Sequence, residues 1–210
     1  VARAFLFFAW PTQMSGDKVW VSTESWFGLG YQLPDTFTCA TPLGEAAANV
    51  AVTASPAEMM CGLIPGSIGE TSVYAIALGA VILLFTRIAS WRTMLSVFVG
   101  GALIALLFDY CGAADNSVAH LGLNHLWLGG FCFGAVFMAT DPVTSCRTEC
   151  GKYIYGFLIG ALAITIRVLN PGYPEGMMLA ILFMNMFAPL IDYCFVQRNI
   201  NRRAKRAVKR

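Results

Sequence analysis

Charge is what this sequence has least of. Of its 210 residues only 12% are Asp, Glu, Lys or Arg, against 57% hydrophobic, and the mean hydropathy is +0.63. Soluble domains carry about 25% charged residues. The apolar residues here come in long charge-free blocks, so the composition argues against a large soluble core and for an integral membrane protein. A Ser-His-Asp constellation, a phosphate-binding glycine loop and a dinucleotide fingerprint are all missing. Any redox chemistry in this chain therefore needs a bound cofactor. The seven cysteines are odd in number and lie mostly in or near apolar blocks, which is no disulfide framework. Cys146 and Cys150 form a C-x3-C pair, but no second pair or nearby histidine completes a four-ligand metal site. The opening "RAFLFFAWP" shows no n-region, h-region and cleavage site, and reads as the end of a helix at about residues 2–10.

Charge-free runs at 71–86, 93–108, 116–140, 153–166 and 176–191 are the candidate membrane segments. Several are shorter than the roughly 20 residues that cross a hydrocarbon core, so local thinning and snorkelling of Arg87 and Arg92 are expected. Glycines at Gly100-Gly101, Gly129-Gly130-Gly134 and Gly156-Gly160 suit close helix–helix packing in lipid. The pattern predicts an all-α polytopic membrane protein with five complete transmembrane helices and the end of a sixth. It divides as 1–10 (helix end), 11–70 (loop), 71–196 (five-helix membrane domain) and 197–210 (basic tail).

A cytoplasmic C-terminus places Arg87, Arg92, Arg147, Lys152 and all seven basic residues from Arg198 to Arg210 on one side, leaving only Arg3, Lys18 and Arg167 of the 14 Lys and Arg. That bias follows the positive-inside rule and puts the 11–70 loop on the outer face. The basic tail directly follows a membrane helix, so it is read as a cytoplasmic tail set by the charge bias and not as a nucleic-acid site.

Two acids fall at the ends of apolar runs, where a charge needs a reason. Asp141 closes "FCFGAVFMATDPVTS", and Phe133, Phe137 and Asp141 are spaced by four, on one helical face. Asp-Pro there is either a plain helix end or the interrupted helix of an ion site. The phenylalanines are either packing or an aromatic gate. Asp192, in "NMFAPLIDYCF" after Pro189, which is expected to interrupt the helical hydrogen-bond ladder, is either in an ion path or snorkelling at the interface. His120 and His125, five apart, do not share a helix face and read as interfacial hydrogen-bonding residues. In the polar loop, "DTFTCATPLG" (35–44) is rich in threonine, and its Thr38 and Thr41 suit a turn.

The blocks "RAFLFFAWPTQMSGDKVW", "IPGSIGE", "IASWR", "GGFCFGAVFMATDPV", "YGFLIG", "IRVLNPGYPEGMMLAILFMNMFAPLID" and "RNINRR" resemble the B-type subunit family of sodium-translocating NADH:ubiquinone reductases, over nearly the whole chain. The resemblance implies the C-terminal half of that subunit, which is one half of an inverted-repeat transporter-like fold in the bacterial inner membrane. It also implies FMN held by a phosphoester to Thr41, in a D-x-x-[S/T]-G-A-T motif matched by Asp35, Thr38, Ala40 and Thr41. Cys39 stands where that motif has glycine. An FMN transferase using FAD would attach the flavin, since threonine is a poor nucleophile without activation. Sodium passage is implied for Phe133, Phe137, Asp141 and Asp192, and non-covalent riboflavin and ubiquinone reduction for the subunit without residues assigned. NADH and iron–sulfur centres would belong to other subunits of the complex. The D-type subunit of the related Rnf ferredoxin:NAD oxidoreductase shares the architecture, and a non-redox channel or transporter, or a purely structural membrane subunit, are the rival readings.

Overall fold

A computed structural model describes residues 2–10, 41–47, 49, 55–62, 64, 69–111, 118–170 and 176–208. All regular structure among the described residues is helical. Three short helices, α1 (Ala2–Ala9), α2 (Pro42–Ala47) and α3 (Pro56–Cys61), precede α4 (Val73–Phe85) and α5 (Trp91–Cys111). A 3-10 segment, Ala119–Leu126, is followed at a 46° bend by a helix Phe131–Met138, α6. The long helices α7 (Glu149–Leu169) and α8 (Met177–Val208) complete the chain.

Local chemistry sets several of these boundaries. Before α3, the Glu58 N–H donates to Ser55 Oγ (3.4 Å) and the Ser55 N–H to Glu58 Oε2 (2.7 Å), a reciprocal capping box. Gly62, at φ +86°, ends the same helix. Ser72 caps α4 by accepting from the Ala75 N–H.

Helices α5, α7 and α8 are long and apolar enough to cross a membrane, and the bent pair 119–126 and 131–138 makes a fourth if counted as one span. Helix α4, with 13 residues, is shorter. The all-α polytopic class expected from the charge-free runs is the one found, and each of the five runs holds a helical element. Two details differ. The run 116–140 is not one helix, because Gly122 (φ 52°, ψ −131°) and Gly129 (φ +61°) take backbone conformations that a helix cannot continue. Conversely, Pro189 does not interrupt α8, which runs for 32 residues and carries the basic tail onward as helix to Val208. A proline mid-helix frees one carbonyl and is tolerated where neighbouring helices pack around it.

Helices α5 and α7 lie side by side and start at the same end, where Arg92 and Glu149 form an ion pair and Trp91 sets its ring edge-on to Tyr153 at 6.5 Å. The Ser96 hydroxyl donates to the Tyr153 carbonyl. Further along, the glycines bring the backbones into contact. A Cβ on Gly160 would stand 2.1 Å from the Val97 carbonyl oxygen, and one on Gly100 would stand 2.3 Å from that of Phe157. Lipid gives apolar helices no hydrophobic reason to associate, so this close approach and its dispersion contacts are the cohesive force. Helix α8 packs antiparallel on α7, with the Tyr155 hydroxyl donating to Asn185 Oδ1. Val97, Phe131, Ala135, Ile159, Ile164 and Ile181 fill the shared core. Leu78, Val81, Phe85, Leu103 and Leu107 face outward, as lipid-contacting residues do.

Gly160→Val should therefore destabilise the chain by at least about 1–3 kcal/mol through overpacking against backbone. Leu103→Ala, on the outward face of α5, should leave the thermal midpoint in detergent within a degree or two. Equal midpoints for the two variants would remove the backbone contact as the cohesive element.

Candidate functional site

Helix α7 separates two polar ends of the molecule. Its 21 residues span about 30 Å. Thr41 lies at the end marked by Arg167, and both Asp141 and Asp192 at the end marked by Glu149.

At the first end, Thr41 immediately precedes α2. Its Oγ1 accepts from the Gly44 N–H at 3.1 Å, and its carbonyl accepts from the Glu45 N–H at 2.9 Å. The hydroxyl is thus held at the open N-terminal turn, while Leu43 and Ala46 of the same turn are buried, at 3% and 0% exposure. Thr41 itself is half-buried. A phosphoester fits this position: the residue is partly exposed, and the hydrogen bond from the Gly44 N–H fixes the direction of the hydroxyl oxygen. The rest of the expected motif, Asp35, Thr38, Cys39 and Ala40, lies outside the described residues.

Leu43 reaches the bend between the 3-10 segment and α6. Its Cδ2 and the Arg167 Nη2 both stand 3.4 Å from where a Cβ on Gly129 would be. Arg167 is 1% exposed. It donates from Nη1 to the His125 carbonyl at 2.7 Å and from Nη2 to the Leu128 carbonyl at 3.1 Å. The two histidines diverge. His120 is exposed, with Nδ1 3.5 Å from Asp109 Oδ1, whereas His125 is fully buried at the bend. Only His120 keeps the interfacial place expected of both.

At the other end, the turn 141–148 links α6 to α7, with one aspartate at each of its ends. Asp141 accepts from the Thr144 hydroxyl (2.7 Å) and from the N–H groups of Thr144 (3.2 Å) and Val143 (3.4 Å). The Thr144 hydroxyl is the largest influence, and with the two N–H groups it outweighs burial and holds the Asp141 carboxyl below the usual carboxylate range. A depressed folded value means that this contribution to stability is present at neutral pH and is lost as pH falls through it.

The spacing of four that groups Phe133, Phe137 and Asp141 on one helical face is half right. The two rings do meet, with centroids 5.0 Å apart, and Phe137 lies over Gly79 of α4. Asp141 starts the turn beyond the helix instead. From Gly134 to Met138 the helix widens to a π turn, closed by the Ala139 N–H on the Gly134 carbonyl at 2.8 Å, so the register of four is lost.

Asp192, 51 residues on in the sequence, closes the same turn. Its carboxylate accepts from the Arg147 N–H (2.8 Å), the Thr148 N–H (3.0 Å) and the Thr148 hydroxyl (2.6 Å). It caps α7 from a neighbouring helix, against Gly151, where a Cβ would stand 3.0 Å from Asp192 Oδ1. Between the two acids, Cys146 is buried and donates to the Ala188 carbonyl at 3.5 Å, whereas Cys150 is exposed. Burial, with the Asp192 charge adding to it, pushes the Cys146 thiol up to about 12. It is therefore an anchor and not a reactive thiolate.

The family model described as NQR2, RnfD, RnfE matches residues 1–201. The chain belongs to this family. The B-type subunit of the Na(+)-translocating NADH-quinone reductase of Chromohalobacter salexigens is 53% identical to it over 97% of this chain and 48% of its own length. The subunits of the same name from Klebsiella pneumoniae (strain 342) and Pseudomonas aeruginosa (strain LESB58) are 50% and 47% identical, over 97% and 98% of this chain and 49% and 50% of their own lengths. The chain spans about half the length of these relatives. With its membrane-spanning helices, this member of the NQR2, RnfD, RnfE family is an integral membrane protein.

Residues that the sequence did not nominate hold both ends of the family fold together here: Thr148, Gly151, Asn185 and Arg167. Only Arg167 left a signal, as a basic residue at the end of an apolar run on the side that has few of them.

Removing the Asp192 carboxylate leaves the Arg147 and Thr148 N–H groups without their acceptor, at about 0.5–2 kcal/mol, the usual cost of a lost helix cap. Asp192→Ala should speed amide exchange over 147–152 at least tenfold, while Asp141→Ala should alter 143–145 instead. Equal exchange in both variants would separate Asp192 from the cap.

Proposed function

We propose that this chain acts within the B-type subunit of a sodium-translocating NADH:quinone reductase, carrying FMN as a phosphoester on Thr41 and contributing part of the sodium path. The observation that carries the reading is Thr41 itself. It is a half-buried hydroxyl, fixed at the first turn of a short helix whose next residues anchor in the membrane domain, in a chain about 50% identical to subunits of that name. These names favour it over the D-type subunit of the Rnf complex. The flavin, when bound, supplies one- and two-electron chemistry. Thr41 holds its phosphate through the ester oxygen, the Gly44 N–H directs that oxygen, and Leu43 and Ala46 keep the turn against the bundle. NADH would be oxidised on another subunit, with riboflavin and ubiquinone completing the electron path. An FMN transferase would install the flavin from FAD. The Thr41 end would face outward and the basic end the cytoplasm of a bacterial inner membrane.

At the cytoplasmic end, sodium is the cargo. It is a hard cation that prefers oxygen ligands. Asp141 offers a carboxylate oxygen at the turn that follows the π segment, with Phe133 and Phe137 as an aromatic constriction on that preceding element. Asp192 contributes by holding the turn that Asp141 begins.

Two experiments test the two halves. In denaturing gels, the chain co-expressed with the transferase should show a fluorescent flavin band that Thr41→Ala abolishes; a colourless wild-type chain would favour a channel or transporter without redox role. Asp141→Asn should raise the sodium concentration for half-maximal quinone reduction several-fold while the flavin stays attached. Unchanged sodium dependence would remove Asp141 from the path.

A further inference from the structure

Arg167 is one of the few basic residues away from the basic end, and it is buried to 1% exposure. A charge so placed in a membrane protein is costly and is usually held for a purpose. Its planar fork bridges two carbonyls three residues apart, His125 at 2.7 Å and Leu128 at 3.1 Å. Those carbonyls bracket the bend between the 3-10 segment and α6, where the backbone has left helical geometry and its own acceptors need partners. A lysine, with a single point charge, does not hold two such acceptors in fixed relation.

The next residue after this bracket is Gly129, at φ +61°. With no side chain there, Leu43 Cδ2 seats directly over the Gly129 backbone beside the guanidinium, each 3.4 Å from the missing Cβ. Leu43 is two residues from Thr41, in the turn whose Gly44 N–H fixes the Thr41 hydroxyl. A continuous series of contacts thus runs from Arg167 through the bent backbone and Leu43 to the flavin-bearing oxygen.

From this geometry we infer that Arg167 is a positioning residue for the Thr41 flavin: it holds the bend as a floor on which the Leu43 turn seats, and so sets where the flavin stands relative to the membrane domain. The inference rests on Thr41 being the attachment site. Attachment itself needs only the motif, so the flavin content should survive loss of the floor. What suffers is its placement, and a misplacement of about 1 Å can cost two orders of magnitude in rate.

The test uses the complete reductase complex with the transferase co-expressed. Arg167→Lys keeps the charge and removes the fork, and Leu43→Ala removes the seat without touching the buried charge. In both, intact mass should show wild-type flavin content, amide exchange over 42–47 should rise about tenfold, and reduction of the Thr41 flavin after mixing with NADH should slow about tenfold or more. The sodium concentration for half-maximal activity, which a general loss of structure would move, should stay at the wild-type value. If Arg167→Lys fails to assemble, Leu43→Ala decides alone. Wild-type exchange and wild-type flavin reduction in an assembled Arg167→Lys, or in Leu43→Ala, would overturn the inference, while a wild-type chain with no flavin on Thr41 would sink the reading beneath it, and the inference with it.

Discussion

Two helix backbones touch where Gly160 faces the carbonyl of Val97, and the remaining packing is built around that contact. A side chain of any size at Gly160 would stand 2.1 Å from the carbonyl oxygen, so α5 and α7 share one register and one direction. With the pair fixed, Arg92 meets Glu149 at one end. At the other, α7 delivers Arg167 to the bend that follows α5. Helix α8 packs along α7, and Asn185 and Asp192 arrive opposite Tyr155 and the start of α7. In lipid, where apolar surface alone brings no helices together, such a glycine contact has the place that a hydrophobic core has in water.

One consequence is that α7 works as a spacer. Its length of about 30 Å matches the hydrocarbon thickness of a bilayer, and it keeps the Thr41 turn and the Asp141 turn on opposite sides. Both are short irregular segments seated on regular ones: the first through Leu43 on the Arg167-bracketed bend, the second through Cys146 on α8 and the Asp192 cap. In the proposed reading, electrons pass at one end and sodium enters at the other, and both α7 and the bent 119–138 segment run between them. The π turn at Gly134–Met138 belongs to that bent segment, and such turns are frequent at functional sites.

The sequence made the membrane class legible through simple physics. Charge-free runs located every long element, the lopsided basic residues separated the two ends, and the glycines at 100, 101, 156 and 160 announced the contact surface. What it hid was whatever depends on residues far apart in the chain. Asp192 looked like an isolated acid near a helix end because its donors, Arg147 and Thr148, lie 45 and 44 residues earlier. The face shared by Phe133, Phe137 and Asp141 assumed a period of 3.6 that the π turn does not keep. The run 116–140 looked continuous because a bend made by glycines at positive φ leaves hydropathy unchanged. Pro189 looked like a break because a lone helix would break there, whereas a packed one need not.

Mass spectrometry tests the flavin on Thr41 most directly. The chain, co-expressed with an FMN transferase and denatured, should gain the mass of FMN less one water, and fragmentation should place that gain on Thr41 and on no other residue of the 35–44 stretch. A chain of unmodified mass under the same conditions, or a flavin located on another residue, would contradict the account.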